Sequence, residues 1–142
     1  MQNSKIKKKI ITLIGPTACN KTSNAVHLIK KFPISIIGVD SVQIYKRFNI
    51  GSAKPPKEIL EKYKHHLVDS ADPENIFSVK DFYDQAYRIV MQAHSNNRIP
   101  LLVGGTMMYF NALFKGINDI PEGNEAIREE LQRELDNRGV DK

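Results

Sequence analysis

Several features are scarce in this sequence, and each scarcity excludes something. Cys19 is the only cysteine among 142 residues, so no disulfide can close within the chain, which suits a reducing compartment. No apolar run approaches the roughly 20 residues that a helix needs to cross a bilayer. The basic start, MQNSKIKKKI, leads into a strand-length run with neither a signal-peptide core nor a cleavage site. The expectation is a cytoplasmic protein with no membrane partner. Internal repeats, low-complexity stretches and a clear linker are all missing, and 142 residues make one domain, long enough to bury about two-thirds of its unfolded surface. We divide the chain into a basic tail over residues 1–9 and a core over residues 10–142. The histidines do not form a metal pattern. His65 and His66 are adjacent, so a strand sends them to opposite sides, and His27 and His94 fall in helical segments without a partner pair at ligand spacing.

Lysine and arginine outnumber the acids 21 to 16, giving a net charge of +5 and a pI near 9.3. That balance permits a polyanionic partner without requiring one, because Lys5, Lys7, Lys8 and Lys9 read most simply as a solvated tail. The informative stretch is IITLIGPTACNKT, from Ile10 to Thr22. An apolar run, a turn opened by Gly15 and Pro16, then Lys21 and Thr22 entering a helical pattern is the layout of a phosphate-binding loop. In such a loop, backbone N–H groups at a helix start surround a phosphate, the lysine adds charge and the hydroxyl ligates magnesium. The motif G-x-x-x-x-G-K-[ST] expects a second glycine where this sequence has Asn20. Asparagine is among the few other residues that enter the left-handed region at modest cost, so the backbone can survive the change while the side chain crowds the anion. Cys19 sits where a helix start could lower a thiol pKa, but a tolerated small loop residue is the plainer reading.

Periodicity supplies the rest of the framework. Ile10–Ile14 reads as a strand buried on both faces. From Lys21, Ala25, Leu28, Ile29 and Phe32 share a helical face that Pro33 ends, and Ile34–Val39 is a β-branched strand ending at Asp40. Strand, loop, helix and strand in that compass make a βαβ unit, so the first two strands are expected to be parallel neighbours with Asp40 and Ser41 facing the phosphate loop. Ser41 to Pro56 reads as a long loop, Pro56 to Tyr63 as a short helix and His66 to Asp69 as a short strand. Ser78 to Asn96 is the best-defined helix, with Asp81 three residues after the capping serine. Pro100–Val103 is a further buried strand. Gly104, Gly105 and Thr106 then form a tight turn into a helix over Met107–Phe114, and Asn124 to Arg138 is a last helix striped by Ile127, Leu131 and Leu135. Met107, Met108, Tyr109 and Phe110 read as core more readily than as the wall of an apolar slot.

Five blocks together carry a resemblance: GPTACNKT at 15–22, DSVQIYKRFNIGSAKP at 40–55, HHLVD at 65–69, DFYDQA at 81–86 and RIPLLVGGTMMYF at 98–110. In this order and spacing they resemble the tRNA dimethylallyltransferase family, over almost the whole chain from Ile10 to about Ile117. The resemblance implies an α/β, P-loop NTPase-like (nucleotide-kinase-like) fold, a parallel sheet flanked by helices. It implies transfer of a dimethylallyl group from dimethylallyl diphosphate to the exocyclic amine of an adenosine beside the tRNA anticodon, assisted by Mg²⁺, in a monomer. Gly15, Pro16, Thr17, Ala18, Cys19, Asn20, Lys21 and Thr22 would then hold the diphosphate or a nucleotide, with Thr22 on the metal. Asp40 would be the general base and Thr106 the donor to the departing oxygen. Asp40, Ser41, Val42 and Gln43 would contact the tRNA, whose target base must leave the stack to be reached.

Without the resemblance, Asp40 reads equally as a carboxylate capping a turn, and Thr106 as a plain helix cap. Members of that family continue into a helical tRNA-gripping insertion and a C-terminal part with another basic residue for the diphosphate. The expectation is therefore the N-terminal core alone, with weak or no activity. Two other readings stay open: a small-molecule or nucleotide kinase built on the same loop, and a non-catalytic remnant. The kinase reading is short of one group, because the LLVGG strand ends in glycines where a magnesium-holding acid would stand.

Overall fold

The chain alternates strand and helix: β1 (Ile11–Ile14), α1 (Lys21–Ile29), β2 (Ile34–Val39), α2 (Lys57–Lys62), β3 (His65–His66), α3 (Val79–Ser95), β4 (Ile99–Gly104), α4 (Met107–Lys115) and α5 (Glu125–Arg138). The computed structural model describes residues 8–117 and 124–139, so the expected basic tail lies outside the described residues except for Lys8 and Lys9. The four strands form one sheet in the order β1-β4-β2-β3, and every pairing is parallel. Such a sheet needs helices on both faces to bury it. On one face α3 and α4 cover Ile37, Val39 and Leu102, with Phe82, Ala86 and Phe110 at the centre. On the other, α1 covers Ile34, Ile36 and Leu101 through Ala25, with Leu28 and Ile29 packed alongside.

Two expectations about β1 are corrected. β1 and β2 are not neighbours, since β4 lies between them and pairs with both. Nor is β1 buried on both faces: Ile11 and Ile14 remain 41% and 44% exposed, because β1 forms the end of the four-strand order and has only β4 beside it. The physical reason β4 takes the centre lies in its glycines. A Cβ on Gly104 would stand 2.0 Å from the Val39 carbonyl oxygen, and one on Gly105 would stand 3.1 Å from that of Gly15. Neither glycine has positive φ. The pair opens the tight, two-residue connection into α4 that the sequence suggested, and what it supplies there is close approach of backbones and not positive φ.

The helices follow their local chemistry. Ser78 caps α3, accepting from the Asp81 N–H while the Asp81 carboxylate accepts from the Ser78 N–H. The Ser78 hydroxyl, donating to that carboxylate at 2.6 Å, and then the Ser78 N–H hold the Asp81 carboxyl below its ordinary value. Asn124 caps α5 through the Ala126 N–H. The α5 stripe Ile127, Leu131 and Leu135 is exposed, as are Phe32, Met107 and Met108, whereas Tyr109 and Phe110 are core. The expected strand over His66–Asp69 shifts to His65–His66, since Leu67 and Asp69 take positive φ and break the extended run.

If close approach at the strand tips fixes the sheet, Gly104→Ala should destabilise the chain by about 3 kcal/mol or more, at the top of the usual overpacking range. Gly105→Ala should cost clearly less. Urea unfolding of the two variants checks the ranking, and equal losses would contradict it.

Candidate active site

The tips of β1, β4 and β2 meet at one end of the sheet. The Gly15 N–H donates to the Gly104 carbonyl at 3.4 Å, and the Thr106 N–H donates to the Val39 carbonyl at 3.2 Å. The loop from Gly15 to Asn20 and the first turn of α1 therefore sit beside the loop that leaves β2. Between them lies a cavity of about 570 Å³ lined by residues 17–23 on one side and by Asp40, Gln43 and Ala53 on the other. Asp40 thus faces the phosphate loop as expected, although the strand beside β1 is β4 and not β2.

The loop itself is built to present donors. Asn20 has φ 59° and ψ 24° and Ala18 has φ 67°, left-handed conformations that cost a residue with a side chain roughly 1–2 kcal/mol and asparagine less. Asn20 makes no side-chain cap to α1, and the first turn of α1 carries no acid. The helix start, with its free N–H groups and its positive dipole end, is thereby left for an anion. The Lys21 ammonium folds back over the loop and donates to the carbonyls of Gly15, at 2.7 Å, and Pro16. It also approaches the exposed Cys19 sulfur at 3.6 Å.

On the facing wall Asp40 does two things at once. One carboxylate oxygen, Oδ1, accepts the N–H groups of Val42 at 2.9 Å and Gln43 at 3.1 Å. The turn-capping reading of Asp40 is therefore correct for half of the group, and Oδ2 has no bond to either amide. Behind it, burial and the facing charges of Tyr45, Asp40 and Asp81 hold the Tyr109 phenol above its ordinary value. Thr106 makes no side-chain cap to α4. Its Oγ1 instead accepts the Ser41 N–H at 3.0 Å and donates, over a long 3.5 Å, to the Ser41 hydroxyl. Ser41, Val42 and Thr106 are at the same strand ends as Asp40 but do not themselves line the cavity.

The long loop after Asp40 is held in place by two residues whose role the sequence did not disclose. The Gln43 amide donates to the carbonyls of Ser52 and Ala53, at 3.1 and 3.0 Å. The Lys54 ammonium, 3% exposed, donates to the Tyr45 carbonyl, Asn49 and Asp69, the last at 2.6 Å. A buried ammonium lacking such partners would cost several kcal/mol, so Lys54 commits the loop to one arrangement. Ser23, Val26, His27 and Lys30 also line the cavity. Their spacing of three, four and seven residues from Ser23 is one helical face turned to the loop, a signal that was present in the sequence.

The matches with known proteins fit this geometry. Residues 43–142 match the family described as IPP transferase. The chain belongs to that family. Similar proteins include the tRNA dimethylallyltransferase of Dichelobacter nodosus, 44% identical over 131 residues, covering 92% of this chain and 41% of that protein. The enzyme of the same name from Legionella pneumophila (strain Corby) is 44% identical over 136 residues, covering 96% and 44%. Among solved structures, the full-length tRNA isopentenylpyrophosphate transferase of Bacillus halodurans superposes with a TM-score of 0.75 at 38% identity, covering 94% of this chain and 45% of that one. A eukaryotic dimethylallyltransferase described as acting on tRNA gives a TM-score of 0.76 at 27% identity, covering 88% and 32%. This IPP transferase chain therefore spans less than half the length of those relatives. Its parallel sheet with flanking helices is the α/β, P-loop NTPase-like fold expected from the sequence.

Since Asn20 makes no cap bond, removing its side chain forfeits no hydrogen bond, and glycine serves a helix start nearly as well. Asn20→Gly should tighten binding of inorganic diphosphate several-fold by calorimetry. An unchanged affinity would show that the side chain does not crowd the anion.

Proposed function

We propose that this chain is the core of a tRNA dimethylallyltransferase, in which the phosphate loop holds dimethylallyl diphosphate and Asp40 meets the acceptor amine. The observation that carries the reading is that Asp40 and residues 17–23 line one cavity from opposite sides. An allylic carbon departs as positive charge builds on carbon and negative charge on the bridging oxygen, so the leaving diphosphate must be neutralised. The N–H groups at the start of α1 and the Lys21 ammonium meet that demand. Lys21 exchanges the carbonyls of Gly15 and Pro16, which it now touches, for phosphate oxygens. Thr106, whose oxygen accepts from the Ser41 N–H, turns its proton from a long bond to the Ser41 hydroxyl onto the departing oxygen. Asp40 Oδ2, not engaged by the Val42 and Gln43 amides, orients the exocyclic amine and removes its proton as the new carbon–nitrogen bond forms.

The acceptor is the adenosine base of a tRNA, turned out of its stack, with Ser41, Val42 and Gln43 flanking it beside Asp40. The oxygen that would hold Mg²⁺ in the cavity wall is the Thr22 hydroxyl. Among the described residues no group of three or more His, Cys, Asp or Glu could cage a metal. Hard oxygens in small number suit Mg²⁺ carried in with phosphate oxygens and water. When bound it adds positive charge at the leaving diphosphate. No helix among the described residues is long and apolar enough to cross a membrane, and a tRNA substrate fits a cytoplasmic enzyme. The family's monomeric habit is our expectation here too.

Calorimetry tests the reading first. Dimethylallyl diphosphate should bind in preference to ATP, and Lys21→Ala should abolish the binding. With unmodified tRNA, prenyl transfer by this polypeptide should be weak. Whatever turnover remains should fall by a factor of about 10² or more in Asp40→Asn, the scale of a lost general base, while diphosphate affinity holds. Tighter ATP binding with phosphoryl transfer would favour a kinase instead.

A further inference from the structure

A second cleft, of about 380 Å³, opens at the end of the sheet where β2 and β4 begin, away from the strand tips that carry Asp40 and Gly15. Ser35, Lys62, Tyr63, Lys64, His66 and Arg98 contribute to its wall, and no Asp or Glu is among the described residues lining it. Arg98 is fixed in place: its Nε donates to the Ser35 hydroxyl at 2.9 Å and its Nη2 to the Ile34 carbonyl. Burial and then the positive charges of Lys64, Arg98 and His65 push the His66 imidazole below its ordinary value. The Tyr63 ring has the Lys62 ammonium 5.8 Å and the Lys30 ammonium 5.9 Å from its centre. Lys30 also lines the cavity of the phosphate loop. Cations therefore continue from Lys21 through Lys30 to Lys62, Lys64 and Arg98 around the C-terminal end of α1. None of the proposed prenyl-transfer steps uses this cleft.

Gathering like charges around one concave surface without a carboxylate opposes the compact state, and an anion relieves that opposition. A fixed guanidinium flanked by ammonium groups is a phosphate-binding arrangement. We infer that the cleft is a second phosphate site, and that its occupant is the backbone of an RNA whose phosphates follow the cations from Lys30 to Arg98. The phosphate chemistry stands on the cleft alone; only the choice of RNA as occupant rests on the proposed function.

His66 is the reporter for the test. Its side-chain resonances are followed through a pH titration of the whole chain, alone, with inorganic phosphate and with unmodified tRNA. Both ligands should move its titration upward, by about half a pH unit or more for an anion in direct reach, and tRNA should do so at far lower phosphate concentration. The double charge reversal Lys62→Glu with Lys64→Glu, at exposed positions that need not disturb folding, should abolish the response. It should also weaken tRNA binding about tenfold and lower the salt slope of that binding by about two. Lys21→Ala should leave the His66 response intact, which separates this site from the phosphate loop. A His66 titration indifferent to both ligands would overturn the site. A response to inorganic phosphate alone would overturn the RNA and leave a small phosphorylated ligand as the occupant.

Discussion

The structure depends on how closely the end of β4 approaches the end of β2. Gly104 lies so near the Val39 carbonyl that any side chain would collide with backbone, and the same few residues bind Gly15 and Thr106 into the row of strand tips. A main-chain collision cannot be relieved by turning a rotamer, so the absence of two Cβ atoms sets the spacing of three strands. Through that spacing the phosphate loop at the end of β1 and the carboxylate at the end of β2 share one cavity although β4 separates their strands. Parallel α/β sheets place ligands at the carboxyl ends of their strands, and here the paired glycines decide which groups meet there.

The facing wall is held by polar contacts more than by apolar packing. Asp40 anchors the first turn after β2 with one oxygen, Gln43 reaches across to Ser52 and Ala53, and Lys54 closes the far end of the loop on Asp69 and Asn49. The groups that position the loop lie beside or within the groups proposed to do chemistry. Asp40 can serve both purposes because a carboxylate has two oxygens and the turn uses one. Lys54 pays for its burial with three acceptors, so the arrangement is specific even where it is not rich in apolar area.

How much of this was legible follows the range of the interaction. Local chemistry read well: the reciprocal Ser78 and Asp81 cap, the helix opening at Lys21, the β-branched run Ile34–Val39 and the left-handed Asn20 are each decided within a few residues. Strand order did not, because both β1 and β4 read as apolar runs and only a contact between Val39 and Gly104 chooses which lies beside β2. The turn at those glycines was legible, but their close approach to neighbouring backbone was not, because sequence does not distinguish a glycine needed for φ from one needed for approach. The burial of Lys54 was not legible, since nothing adjacent to it shows that Asp69, fifteen residues on, folds beneath it. The phosphate loop and Asp40 were visible as motifs, and Thr106 was visible as a hydroxyl at a helix start, but its engagement with Ser41 instead of its own helix was not.

The most direct test is a crystal structure of the chain bound to a non-reactive thio analogue of dimethylallyl diphosphate. The account predicts the diphosphate against the N–H groups of residues 19–22, with Lys21 turned from the Gly15 carbonyl onto it and the allylic carbon on the side of Asp40 and Thr106. A diphosphate seated elsewhere, or one whose allylic end points away from Asp40, would contradict it.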